Sequence, residues 1–133
     1  MKRRLAATLV ALACLAAGPA AAVGLAPLSL DGVTASERKG FFLTLINPYP
    51  TAERFRLQPT GFADESIPNG IVLPVGEAVV APGGQRRMLV IAADLQPGER
   101  RAFRVCAARV EPPSSKELIH ARVCAKLVAR RLG

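Results

Sequence analysis

The chain has 133 residues, half of them apolar, with 18 Lys and Arg set against 10 Asp and Glu and a single His. Three of those cations fall within the first four residues. Without that segment the balance is 15 to 10, a modest surplus that suits a solvated surface better than a nucleic-acid stripe. Of the three cysteines only Cys106 and Cys124 lie beyond the first 22 residues; two alone cannot build a four-ligand zinc site, and there is no Cys-x-x-Cys.

Lys2, Arg3 and Arg4 precede an uncharged apolar run from Leu5 to Ala17, which Gly18-Pro19 ends before Ala20-Ala21-Ala22. Charged head, apolar centre and small-residue tail together predict a cleaved export signal over residues 1–22. The run of about 13 residues is short for a membrane anchor, which needs roughly 20. A lipid-bearing Cys14 is disfavoured, because Ala11 stands three residues before it where such signals carry a larger aliphatic group. The expected product is one exported domain, residues 23–133, without a membrane span.

The rest reads as short apolar or alternating runs punctuated by Pro and Gly, the pattern of an all-β sandwich. Leu25 to Val33 is a first strand, and Phe41 to Ile46 a second, stopped by Asn47-Pro48-Tyr49-Pro50. Arg54 to Leu57 alternates, with Phe55 and Leu57 inward. A loop follows from Pro59 to Gly70. Ile71 to Leu73 and Ala78 to Ala81 are short strands, Pro82-Gly83-Gly84 is a turn, and Arg87 to Ala92 is another strand. Gln96-Pro97-Gly98-Glu99 turns into Ala102 to Val110, and a Pro/Ser loop leads to Leu118 to Val128. About seven strands suit an immunoglobulin-like β-sandwich; a helix over Leu118 to Leu132 is the competing reading of the last segment.

With the signal removed, Cys106 and Cys124 remain, and an exported domain sits in an oxidising compartment. A hairpin centred on Ser115 sets them opposite one another. It also pairs Phe103 with Leu127, Val105 with Ala125 and Ala107 with Val123 on one face. Arg104, Cys106, Arg122, Cys124 and Lys126 fall on the other. Hydrophobic and cysteine registers agree, which predicts a disulfide between the last two strands.

No catalytic constellation is evident. His120 stands alone in a predicted strand, carboxylates are scattered, and Gly-x-Ser-x-Gly and a phosphate loop are both missing. The doublets Arg86-Arg87, Arg100-Arg101 and Arg130-Arg131 read as solvated strand ends. The sequence points to a protein without enzymatic activity, cofactor or metal.

The order of segments resembles the N-terminal domain of periplasmic pilus-assembly chaperones of the PapD type. The stretches that carry the likeness are Phe41-Phe42-Leu43-Thr44-Leu45-Ile46-Asn47-Pro48, Val80-Ala81-Pro82-Gly83-Gly84 with the strand to Ile91, Leu95 to Val105, and Pro112-Pro113. The resemblance implies a protein partner bound by β-strand addition, in which backbone groups of an open edge pair with an incomplete pilin-like subunit. The strand it implicates offers Ile119, Ala121, Val123 and Ala125, with Lys126 as a cation. Two departures stand out. Family members carry a second domain. Their first-strand Arg corresponds to Asp31 here, and their last-strand Lys to Cys124 or, with a shift, Lys126. The alternative is a single-domain interaction module that keeps the fold without capturing pilus subunits.

Overall fold

A computed structural model describes residues 23–111 and 121–133. The export signal expected over residues 1–22, together with Ile119 and His120, lies outside the described residues. Among the described residues nine strands run in chain order: β1 Gly24–Ala26, β2 Ser29–Thr34, β3 Lys39–Ile46, β4 Glu53–Gly61, β5 Ile71–Val72, β6 Glu77–Val80, β7 Gln85–Ala92, β8 Arg100–Arg109 and β9 Arg122–Arg131. They form a four-stranded sheet, β1-β3-β7-β5, and a five-stranded sheet, β2-β9-β8-β4-β6. This is the all-β, immunoglobulin-like sandwich that the alternation implied. No helix among the described residues is long and apolar enough to cross a membrane.

Period-two alternation decides the core. From the four-stranded sheet Phe41, Leu43, Leu45, Met88 and Val90 point inward, and from the other Phe55, Leu57, Phe103, Val105 and Leu127 meet them. Phe41 and Phe103 join the sheets edge to face, with ring centroids 6.4 Å apart. Two Pro-Gly turns set the strand lengths. Gly84 N–H bonds to Ala81 C=O at 2.9 Å around Pro82-Gly83, and Glu99 N–H to Gln96 C=O at 2.9 Å around Pro97-Gly98. Gly83 and Gly98 sit at φ of 65° and 76°, where a type II turn needs glycine.

Two sequence expectations are corrected, and the competing reading of the last segment falls away. Leu25 to Val33 is two strands on different sheets. Pro27, which has no N–H to give a ladder, stands between them after a cis Ala26–Pro27 peptide. Pro59 belongs to β4, which continues to Gly61. Residues 122–131 form a strand, not the competing helix, because β8 and β2 both bond to it.

The two outer faces differ in chemistry. On the four-stranded sheet Phe42 lies opposite Leu89, and Gly40, Ile91 and Val72 form the next row, with Phe42 and Val72 both exposed. Arg87 covers Phe42, its guanidinium 4.2 Å from the ring centroid. On the five-stranded sheet the outward rows are Arg56–Ala108–Arg122, Gln58–Cys106–Cys124 and Thr60–Arg104–Lys126.

Asn47 ties one end of the sandwich together. Fully buried, it donates through Nδ2 to Thr51 C=O and Val80 C=O, each at 2.9 Å, and accepts the Tyr49 N–H at 2.9 Å on Oδ1. Replacing it takes the amide donor from the buried Val80 C=O. Asn47→Ala is expected to lose about 2 kcal/mol in urea unfolding. Asn47→Asp is expected to do no better, since it turns an acceptor toward carbonyl oxygens.

Candidate functional site: the open half of the last strand

β9 is paired on one side along its whole length and on the other for only part of it. β8 runs antiparallel to it from Ala108↔Arg122 to Arg100↔Arg130. β2 runs parallel to it, but only from Ser29↔Lys126 to Thr34↔Arg131. Lys126 N–H bonds to Leu28 C=O at 2.9 Å, so the even-numbered residues of β9 turn their backbone groups away from β8. By the same alternation Arg122 and Cys124 present N–H and C=O outward. Among the described residues no strand lies there to receive them. Arg122 to Ala125 is therefore an open edge that continues directly into a paired one.

Several devices hold this open half in place. Cys106 and Cys124 are bridged, as the registers implied, with Cα atoms 4.0 Å apart. That short separation belongs to a pair whose hydrogen bonds point away from one another. The loop after β4 then crosses the outer face. Glu65 accepts two bonds from Arg122, 2.9 Å from Nη1 and 2.6 Å from Nη2, and a third from Arg104 at 3.3 Å. Arg104 is itself anchored to Gly61 C=O and Asp64 C=O, each at 2.8 Å. Phe62 reaches the same strand, with Lys126 Nζ 5.6 Å from its ring centroid. Hydrogen bonding from Arg122, then from Arg104, with the charge of both, holds the Glu65 carboxyl below its ordinary range. Beside the loop lies a shallow cavity of about 380 Å³, floored by Gln58, Cys106 and Ala108 and rimmed by Arg56 and Arg122.

The residues singled out from sequence fall in different places. Ala121 is exposed immediately before β9, and Val123 is half-buried and packs against the core. Ala125 is fully buried and belongs to this domain's own core, so it is not available to a partner. Lys126 is exposed on the outer face beside Phe62. Asp31 is paired with Arg130, 3.2 Å from both Nε and Nη2, and the hydrogen bond from Arg130 keeps its carboxyl below the ordinary range. Arg122 and Arg104 were legible as members of a basic face. Glu65 and Phe62 were not, because nothing in a Gly/Asp/Pro/Asn-rich loop says which way it folds. No group of three or more His, Cys, Asp or Glu able to hold a metal ion occurs among the described residues.

No protein-family model matches the sequence, and no curated protein matches it either. Solved structures do. The Escherichia coli chaperone DraB aligns at 17% identity with a TM-score of 0.65, over 83% of this chain and 55% of its own. The chaperone SafB, solved with the Salmonella enterica pilin SafA, aligns at 17% identity and TM-score 0.68, over 86% of this chain and 57% of the matched chain. The human CEP192 PapD-like domain 7 aligns at 13% and 0.61, over 83% of this chain and 84% of its own. The solved structures it resembles are mostly pilus chaperones, and the fold is the PapD-like immunoglobulin sandwich. The chain spans 55% of DraB and 57% of the chain matched with SafB, little more than half of each. At this identity the likeness establishes the fold.

Two measurements check this geometry. Reducing the bridge, which spans 18 residues, is expected to cost about 3 kcal/mol in the loop-closure picture. It should speed amide exchange at Val123 and Ala125, which only β8 holds, more than at Leu127 and Ala129, where β2 closes the other side. In a carboxyl NMR titration Glu65 is expected to protonate below the ordinary Glu value. Its contacts with Arg122 are then complete at neutral pH and lost as pH falls through that lowered midpoint. In Arg122→Gln the midpoint should return toward the ordinary value.

Proposed function

We propose that this is a periplasmic, non-catalytic binding protein that takes an extended segment of a partner polypeptide onto the open edge at Arg122 to Ala125, in the manner of a pilus-assembly chaperone. The observation that carries this reading is the mismatch in length between β2 and β9. It leaves outward N–H and C=O groups on a strand that is otherwise fixed. Backbone groups of that kind are the currency of strand addition. Of the other edge strands, β1, β5 and β6 are only three, two and four residues long, which limits what they can template, while six-residue β2 continues the same side of the sheet beyond the open half of β9. Ile119 and Ala121 precede the open edge in sequence and are proposed to enter the partner's groove, with Val123 and Lys126 flanking the contact. Ala121 buries little apolar area, so most of the affinity must come from the backbone and from the larger side chains. The comparison proteins support the reading in kind: SafB is a chaperone solved with a pilin, and the complex of CsuC with CsuE from Acinetobacter baumannii is a chaperone with its tip subunit. Residues 1–22 supply the proposed export signal, and residues 23–133 the proposed single domain.

One observation favours the second reading, an interaction module that does not capture pilus subunits. Where the resemblance calls for an Arg able to hold a subunit's carboxylate, Asp31 stands with its own charge engaged by Arg130. The protein SSP-19 of Caenorhabditis elegans, an MSP-domain-like family member, shares the fold at TM-score 0.57 with 97% of its own chain covered, so the sandwich also occurs without a second domain.

Arg122→Pro and Arg122→Gln separate edge pairing from everything else at that position. Proline removes one outward N–H and leaves the ladder to β8 untouched, whereas glutamine keeps that N–H. In a pull-down from the native periplasm with a tagged chain, a companion recovered in near-equal amount by the wild type, and still detected with Arg122→Gln, should disappear with Arg122→Pro at unchanged melting temperature. Retention by Arg122→Pro would rule out pairing at this edge. A small pilin-like companion supports the chaperone reading, and a companion of any other kind the interaction module.

A further inference from the structure

The outer face beside the open edge carries its own specificity. A strand laid against Arg122 to Ala125 adds one more residue to each outward row, because side chains on neighbouring strands stand about 4.5–5.5 Å apart at Cβ whichever way the strand runs. The row Arg56–Ala108–Arg122 would gain a residue directly beside Arg122, and the row below it one beside Cys124. We infer that the segment this edge accepts bears an acidic side chain beside Arg122, and that its carboxylate takes over the place now held by Glu65. This rests on the edge-pairing reading and adds to it the chemistry of the partner.

Three observations carry it. First, Arg122 has a carboxylate-shaped vacancy already demonstrated by a carboxylate: Glu65 meets it with two parallel bonds of 2.9 and 2.6 Å, the fork geometry that guanidinium offers to an acid. Second, that occupant is easily exchanged. The Glu65 side chain is 64% exposed and that of Arg122 44%, and it reaches β9 from a loop on the far side of β8. An exposed pair of this kind contributes little, so giving it up costs little, while a carboxylate held directly beside Arg122 by the added strand's backbone bonds needs no further ordering to meet the guanidinium. Third, the surroundings select sign. Arg104 and Lys126 share the row two away from that of Arg122, and Arg56 ends Arg122's own row. Among the described residues Glu65 and Glu77 bond to these cations, and Glu111, bonded to Arg109, lines the cavity beside them. A basic residue brought to this row would be repelled by Arg122 and would leave Glu65 in place. An acidic one joins a field already short of negative charge.

The test uses capped, fluorescein-labelled nine-residue peptides with Val at alternate positions and Glu, Gln or Lys at the intervening ones. Binding to the full-length mature protein is read by fluorescence anisotropy. The Glu peptide is expected to bind about tenfold more tightly than the Gln peptide, as a charge-assisted contact should, with the Lys peptide weakest. Arg122→Gln should remove most of that difference while still binding the Gln peptide. Arg86→Gln, which deletes one positive charge at an exposed position of the other sheet, should leave the difference intact. Glu65→Gln, which frees Arg122 of its internal acid without touching the edge, should tighten the Glu peptide several-fold and leave the Gln peptide unchanged. Equal binding of the Glu and Gln peptides overturns the inference and spares the edge. Equal loss with Arg86→Gln and Arg122→Gln also overturns it, because net charge alone would then explain the preference. Failure of every peptide to bind removes the edge reading itself, and this one with it.

Discussion

The structure turns on the requirement that every backbone N–H and C=O find a partner or water, applied to a strand whose two neighbours differ in length. β8 accompanies β9 throughout. β2 meets it only from Lys126 onward, because the chain enters the five-stranded sheet after Pro27 has closed its stay in the other one. From that single mismatch follow an unpaired edge at Arg122 to Ala125, a need to hold that half of β9 by other means, and a surface on which an added strand continues an existing ladder rather than starting a new one. The bridge to Cys106 and the loop contacts of Glu65 and Phe62 meet the second need from the outer face, where they leave the outward backbone groups uncovered.

The rest of the sandwich supplies a fixed base for this edge. Interdigitated aromatic and aliphatic residues from both sheets lock their relative position. Asn47 links the β3–β4 turn to the β6–β7 turn by donating its amide to carbonyls of both. The two outer faces then divide the chemistry. One presents Phe42, Leu89, Ile91 and Val72 under a single stacked arginine, while the other presents rows of cations with an alanine and a disulfide as floor. Specificity of the kind argued for Arg122 belongs to the second face, where charge is dense enough to tell partners apart.

What could be read from sequence follows from the range of the interactions involved. Alternation and Pro-Gly punctuation are local, so the strands from Phe41 to Ile46 and from Arg87 to Ala92, each begun two residues earlier in the structure, and the positions of both Pro-Gly turns were legible. The pairing of Cys106 with Cys124 was legible because two periodicities, apolar and cysteine, had to share one register. The split of the first strand was hidden, since Leu25 to Val33 alternates well enough to pass as one element and the transfer between sheets depends on where β9 lies. Pro59 looked like the start of a loop, yet a β4 residue outside the ladder's donor requirement tolerates it. The open edge was half legible. The resemblance pointed to the last strand, but which residues of it are bare depends on how far β2 extends. Glu65 and Phe62 were invisible, because their role comes from the path of a loop across three strands.

The cross-strand bridge has a mechanical side. Tension applied to a segment paired with β9 would pass first into the open half of that strand, which its ladder to β8 alone would resist by shearing a few hydrogen bonds. The covalent link at Cys124 hands the load to β8, which sits in the interior of the five-stranded sheet between β9 and β4. Under pulling, the seam that yields is then the one between the added segment and β9, and the domain that held it keeps its shape.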